Sequence, residues 1–229
     1  MISTIFWDVD GTLLDFQAAQ SAAIKGLFHD FSLGECTDEL LLRYTQINDS
    51  FWRKLEQNEI TKQQVLVGRF EQFFQEIGVP ASLAPEFNRQ YLPRLGETIV
   101  FRDDSYHIVQ ALRGRIRQYV VSNGTTVAQN KKLALSGLGV LMDGIFLSEE
   151  IGVEKPNRAF FDAVLDRIGP VNVPEILIVG DSLTSDIRGG MNAGIKTCWY
   201  NPDHKEAPEA YRIDYTIADL HEVLEITAS

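Results

Sequence analysis

Cysteine is nearly absent from this chain. There are two, Cys36 and Cys198, far apart and in no C-x-x-C pair, which argues against both a disulfide framework and a thiolate zinc site. Histidine is scarce too: His29, His107, His204 and His221 are scattered, and each is expected at the surface or in packing. Positive charge is short, with 21 Lys and Arg against 32 Asp and Glu and a net charge of −11. No basic stripe exists to release counterions from a phosphate backbone, which argues against a nucleic-acid polymer as the main partner. The same charge argues against an anionic membrane surface. No apolar run approaches the ~20 residues of a membrane span. No basic segment or long apolar run precedes Asp8, so no signal peptide is expected and the expected location is cytoplasmic.

What is present is an ordinary globular composition, 45% hydrophobic and 23% charged over 229 residues. That length suits a large domain, or a core domain with a smaller one. Short β-rich runs stand at Ser3–Trp7, Gln118–Ser122, Ile176–Gly180 and Lys196–Tyr200, with a weaker one at Gly144–Leu147. The clearest are continuously apolar, as in strands buried on both faces of a parallel sheet. Helical patterns lie between them at Ser105–Arg113, Thr126–Ser136, Asn157–Ile168 and Asp186–Ala193. Strand alternating with helix predicts a doubly wound parallel α/β sheet.

Residues 16–95 break that rhythm. Leu40, Tyr44, Ile47, Phe51 and Leu55 recur at helical spacing, and Thr61-Lys62-Gln63-Gln64 is a capping box opening a further helix. Pro85 suits the first turn of another helix, while Pro93 and Gly96 are read as a return linker. The expected organisation is an α/β core from 1–15 and 96–229, with a helical domain inserted at 16–95.

The expected strand ends carry the reactive residue types: Asp8 and Asp10, then Ser122 and Asn123, then Asp181 with Asp186 five residues on. Lys155 stands before a proline that opens a helix. In an open α/β sheet the ligand crevice lies at the carboxyl ends of the strands, so these residues are expected to converge. Carboxylates without a nearby His or Cys suit a hard cation, Mg²⁺ above all. A lysine, a hydroxyl and backbone N–H groups suit a phosphate. A carboxylate can attack phosphorus to give an aspartyl-phosphate. Extended backbone would point Asp8 and Asp10 to one side, one to attack and the other to handle the leaving-group proton.

Asp8-Val9-Asp10-Gly11-Thr12, Ser122-Asn123-Gly124, Lys155-Pro156 and Gly180-Asp181-Ser182-x-x-x-Asp186 resemble, in order and spacing, the four motifs of the haloacid-dehalogenase-like phosphatases. The likeness runs through the whole α/β part, and the helical insert sits where that superfamily carries its first type of cap domain. The resemblance implies Asp8 as nucleophile and Mg²⁺ ligand. Asp10 would be the acid/base and would also lend the metal its backbone carbonyl. Ser122, Asn123 and Lys155 would hold the phosphoryl group, Asp181 would bind Mg²⁺, and Asp186 would bind or orient that shell. The superfamily's dehalogenases carry an aromatic residue where this chain has Asp10, so dehalogenation is not expected.

Residues Gly180–Pro202 are further similar to the pyrimidine 5′-nucleotidases of the superfamily, and the N-acylneuraminate-9-phosphatases share much of that stretch. The implied partner is a small phosphorylated metabolite, a nucleoside 5′-monophosphate first. The alternatives are a phosphatase or mutase for sugar phosphates or small phosphorylated acids, or a non-catalytic module that senses a phosphorylated ligand. Phe51, Trp52, Phe70, Phe73 and Phe74 are candidates to stack on a base or to form the insert's core. Asn48, Asp49, Gln72 and Gln75 are candidates to read a base edge.

Overall fold

The computed structural model describes residues 1–228. Strands β1 (Thr4–Trp7), β2 (Arg117–Ser122), β3 (Gly144–Leu147), β4 (Ile176–Gly180), β5 (Lys196–Tyr200) and β6 (Tyr215–Ile217) form one sheet in the order β3-β2-β1-β4-β5-β6. Every neighbouring pair is parallel. The chain works outward from β1 in one direction and then from β4 in the other, so the switch point lies between β1 and β4.

Alternation along each strand explains the unbroken apolar runs. Ile5, Trp7, Val120, Leu177 and Val179 enter a hydrophobic cluster on one face, while Phe6, Tyr119, Val121, Ile176 and Ile178 enter a cluster on the other. The buried indole N–H of Trp7 donates to Gln118 Oε1 at 3.0 Å, and Gln118 donates onward to the Val109 carbonyl at 2.9 Å. Strand β6 was not expected from the sequence. It is three residues long, too short for a period to register, and is flanked by Asp214, which accepts from the Thr197 N–H at 2.8 Å.

The chain forms two compact units, Met1–Phe16 with the residues from Ile99 onward, and Gln17–Thr98. Helix α1 (Phe16–Asp30) leads into the second unit, followed by α2 (Asp38–Glu56), α3 (Lys62–Glu76) and α4 (Ala84–Leu95). Thr61 and Gln64 cap α3 reciprocally, with hydrogen bonds of 3.3 and 2.8 Å. Pro85 lies in the first turn of α4. Pro93 is not in a linker, as the sequence suggested, but inside the last turn of α4. Proline there forgoes one backbone hydrogen bond. The helix nevertheless continues because its buried row Ala84, Phe87, Asn88, Tyr91 and Leu95 runs through the proline.

Phe70, Phe73 and Phe74 are fully buried, so they build this unit's core and cannot stack on a ligand. Phe70 lies 5.1 Å from Tyr44, 5.0 Å from Phe87 and 5.1 Å from Tyr91, ring centre to ring centre. Phe51 and Trp52 remain half-buried. Asn48 is also excluded as a base reader: it is buried, and its Oδ1 accepts from the guanidinium of buried Arg69 at 2.8 Å.

In the α/β unit the helices are α5 (Ser105–Leu112), α6 (Thr126–Ser136), α7 (Ser148–Ile151), α8 (Arg158–Ile168), α9 (Arg188–Ala193) and α10 (Glu222–Ala228). Ile108, Val109 and Leu112 of α5, Leu133 of α6 and Val223 of α10 cover one face of the sheet. Phe160, Phe161 and Val164 of α8 cover the other. A π-helical turn, Leu183–Ile187, precedes α9. Asp186 sits inside that turn, and Ser182 is the residue that caps it, accepting from the Ser185 N–H at 3.1 Å.

The aromatic core generates a stability prediction. Phe70→Ala should cost about 3–5 kcal/mol, while Leu42→Ala, at a side chain 59% exposed, should stay within about 0.5 kcal/mol. Denaturant titration of the two variants beside the unchanged protein checks this, and equal small shifts would contradict the packing described.

Candidate active site

Asp8 follows the last residue of β1, and its N–H still donates to the Val179 carbonyl of β4 at 3.0 Å. The sheet thus fixes the main chain of Asp8 at the switch point. The chain then turns: Leu14 N–H donates to the Val9 carbonyl at 2.9 Å, and Gly11 N–H to the Leu14 carbonyl at 2.8 Å. The extended geometry expected through Asp10 therefore ends at Trp7. Gly11 takes φ +91°, and a Cβ on it would lie 2.6 Å from Asp181 Oδ2. Only glycine satisfies both the turn and that close approach.

Lys155 is the hub of the cluster. Its ammonium is 1% exposed and donates to Asp8 Oδ1 at 2.9 Å, Asp186 Oδ1 at 2.6 Å and the Val121 carbonyl at 2.8 Å. Three donors meet three acceptors, so the lysine neutralises the cluster and has no spare N–H in this arrangement. Burial alone would lower its pKa; the charges of Asp186 and Asp8 outweigh that and hold it above the ordinary lysine range. Asp8 is also shifted upward from its usual value. Burial raises it well above the ordinary carboxylate range, Lys155 pulls it down, and Asp186 and Asp181 push it further up.

Asn123 spends its side chain on the backbone of Lys155. Its Nδ2 donates to the Lys155 carbonyl at 2.9 Å, and its Oδ1 accepts from the Lys155 N–H at 2.8 Å. Its amide therefore fixes the lysine, and any contact with a phosphoryl group is left to its main chain. Ser122 is buried, and its Oγ accepts from the Gly124 N–H at 3.0 Å, leaving its O–H to donate.

Ligand oxygens of Asp8, Asp181 and Asp186 lie within 4.8 Å of one another. Asp186 is 1% exposed and also accepts from the Ser182 N–H at 3.2 Å. It folds back over Gly180, where a Cβ would lie 2.2 Å from its Cγ. Asp181 receives the Thr12 hydroxyl at 3.3 Å, and its carbonyl accepts from the Trp199 indole at 2.9 Å. Burial and the Asp186 charge push the Asp181 carboxyl up to about 7. The residue nonetheless keeps an exposed edge. Against three carboxylates stands one ammonium, so the cluster carries two uncompensated negative charges when ionised. A divalent cation matches that deficit, and an all-oxygen donor set suits Mg²⁺.

Asp10 does not join this cluster through its side chain. Its Oδ2 accepts from Gln129 Nε2 at 2.5 Å, and its Oδ1 is paired with the Lys132 ammonium. Lys132 is 1% exposed. Neither α6 residue was singled out from the sequence. The available signal was two polar residues at i, i+3 spacing, Gln129 and Lys132, which reads equally well as a solvated helix face.

Residues 2–194 match the family of the haloacid dehalogenase-like hydrolases. The chain is 32% identical to the pyrimidine 5′-nucleotidase YjjG of Escherichia coli (strain K12), over 96% of this chain and 95% of that protein. It is 32% identical to the pyrimidine 5′-nucleotidase PynA of Streptococcus pneumoniae (strain ATCC BAA-255 / R6), over 96% and 94%. The crystal structure of the magnesium-bound HAD-hydrolase YfnB of Bacillus subtilis superposes with a TM-score of 0.93 at 35% identity, covering 100% of this chain and 99% of that one. With the strand-end aspartates, the buried lysine and the sheet order already in place, this chain belongs to the haloacid dehalogenase-like hydrolases.

Proposed function

We propose that the protein is a Mg²⁺-dependent phosphomonoesterase that works through an aspartyl-phosphate on Asp8, with nucleoside 5′-monophosphates, pyrimidine ones preferred, as substrates. The observation that carries the reading is the cluster itself: a nucleophile-type carboxylate hydrogen-bonded to a buried ammonium, beside two further carboxylates, at the switch point of the sheet. Asp8, Asp181 and the backbone carbonyl of Asp10 would hold Mg²⁺, with Asp186 orienting that shell. Bound there, the ion would offset the repulsion between the carboxylate and a phosphate dianion.

The chain's own residues supply the rest. An Asp8 oxygen attacks phosphorus as the bond to the leaving oxygen breaks, and Asp10, entering this step with a proton, gives it to that oxygen. Water then attacks the phosphorus, Asp10 takes its proton, and Asp8 is released as a carboxylate with inorganic phosphate. Ser122 and the main chain at Asn123 would hold the phosphoryl oxygens. Lys155 would hold Asp8 in position and balance its charge, and join the phosphoryl group once one of its present acceptors yields. On this reading residues 16–95 form a cap domain, and selectivity for the leaving group belongs there. The likeness to the two nucleotidases supports the substrate class because it spans 96% of the chain and so includes that unit.

Asp8→Asn should retain the fold and lose nearly all turnover, since an amide cannot attack phosphorus and the uncatalysed background is extremely slow. Retention of a tenth of the activity would exclude Asp8 as nucleophile.

The metal has a pH signature. The raised Asp8 and Asp181 carboxyls keep protons in the folded, metal-free protein that the unfolded chain has already released. Stability without metal should therefore fall as pH rises from about 4 through about 7. Mg²⁺ requires the ionised carboxylates, so its affinity should rise over the same range. The rise in Tm on adding Mg²⁺ should be clearly larger at about pH 8 than at about pH 5.5, and an equal rise at both would contradict it.

Substrate choice is tested by kcat/KM for UMP, dUMP, dTMP, CMP, AMP and GMP beside glucose 6-phosphate, phosphoglycolate and N-acetylneuraminate 9-phosphate. Pyrimidine nucleotides should lead purines by about 10–100-fold, the scale of one or two contacts. A tenfold lead of any of the last three over every nucleotide would leave a phosphatase that is not a nucleotidase.

A further inference from the structure

We propose that Gln129 and Lys132 of α6 are positioning residues that fix the Asp10 carboxylate for proton transfer, an inference that rests on the acid/base reading of Asp10 above. Each takes a different oxygen of that carboxylate: Gln129 donates to Oδ2 at 2.5 Å, and Lys132 pairs with Oδ1. Standing three residues apart, they share one face of the helix. Two donors on two oxygens fix both the place and the rotation of the carboxylate plane, as a single contact would not.

Packing alone does not account for the pair. Helix α6 is already anchored by buried Ala128 and Leu133, and apolar residues at 129 and 132 would bury equally well. A buried ion pair is often no more stabilising than well-packed apolar side chains. The Lys132 side chain is 2% exposed, and its Nζ lies 5.2 Å from the centre of the Phe16 ring. The Asp10 carboxylate is therefore what makes a buried ammonium tolerable there. Gln129 is fully buried, and its Oε1 has no hydrogen-bond partner. The reverse orientation of the amide would set an oxygen against the carboxylate, so the contact with Asp10 decides which way it lies.

The route to Asp10 is kept open by a neighbouring motif. A Cβ on Gly124 would lie 2.1 Å from Gln129 Nε2, so the glycine of Ser122-Asn123-Gly124 leaves the space the amide uses. The Asp10 side chain still keeps 24% of its surface exposed, so the clamped carboxylate retains an open edge for a leaving-group oxygen. The same helix follows the phosphate-type loop at residues 122–124, and one rigid element would set the spacing between the phosphoryl group and its proton donor.

The test measures kcat and KM of Mg²⁺-loaded Lys132→Met and Gln129→Leu with UMP and with p-nitrophenyl phosphate, beside Asp10→Asn. Misplacement of a proton donor should lower kcat for UMP by about 10–100-fold. It should lower kcat for the aryl ester less than about 3-fold, because that leaving group needs little protonation. KM should stay within about 3-fold on both. Equal losses on the two esters would show a merely structural role and overturn the proposal, as would unchanged or faster turnover of UMP in both variants. Circular dichroism and a cooperative melt report folding; if Lys132→Met does not fold, the uncharged Gln129→Leu decides alone by the same criteria. An Asp10→Asn protein that loses both esters equally overturns the acid assignment itself. An Asp10→Asn protein that shows the leaving-group split while the α6 variants do not overturns only the clamp.

Discussion

The contact on which the rest of the site depends is the buried ammonium of Lys155 between Asp8 and Asp186. Removing a lysine from water costs several kcal/mol, and so does removing each carboxylate; stripping one partner from such a set costs more than the set contributes to stability. The arrangement persists only because every neighbour is committed to it. The Val121 carbonyl at the end of β2 takes the third proton, Asn123 holds the lysine backbone at both its N–H and its carbonyl, and the turn before α9 folds Asp186 back over Gly180. Segments far apart in sequence are thus tied to one cation. The sheet order explains why they meet: β1, β2 and β4 are adjacent, so their carboxyl ends share one rim.

The second ammonium makes the site more than one cluster. Asp8 and Asp10 are two residues apart, and two carboxylates sharing one environment would compete for the same proton and the same cation. Here each has its own lysine, Lys155 from the turn before α8 for Asp8 and Lys132 of α6 for Asp10. The separation starts with the turn at Val9–Leu14, which ends the strand geometry before Asp10 is reached. Environments that differ in this way let adjacent carboxylates take different chemical roles.

Much of this was legible in the sequence, for identifiable reasons. The strands at Ile176–Gly180 and Lys196–Tyr200 were readable because burial on both faces leaves an unbroken apolar run. The capping box at Thr61 was readable because its hydrogen bonds are local. The positions Asp8, Asp10, Ser122, Asn123, Lys155, Asp181 and Asp186 stood out because reactive residue types at strand ends are uncommon without a ligand. Their partners were hidden, since partnership is decided by tertiary contact. Nothing local reveals that Asn123 is spent on a lysine backbone 32 residues away, or that Asp186 lies inside a π turn and not at a helix cap. Gln129 and Lys132 look like solvated helix surface until the sheet brings Asp10 beneath them. Pro93 looked like a helix stop because the local rule is strong, and a buried row of side chains overrode it.

The aromatic core of residues 17–98 carries the argument one step further. Phe28, Tyr44, Phe70, Phe73, Phe74, Phe87 and Tyr91 are buried against one another, so this unit has its own core and its fold does not draw on a ligand for stability. The α/β unit has apolar cores on both faces of its sheet, but its clustered carboxylates, when ionised, carry charge that its own lysines do not fully cancel, a local cost that proteins accept at functional sites. A self-sufficient insert can change its exposed residues without disturbing either its own packing or the charged cluster. If leaving-group selectivity resides in the insert, it must lie in side chains outside that core, such as half-buried Phe51 and Trp52, and those can diverge among relatives while the cluster around Lys155 stays fixed.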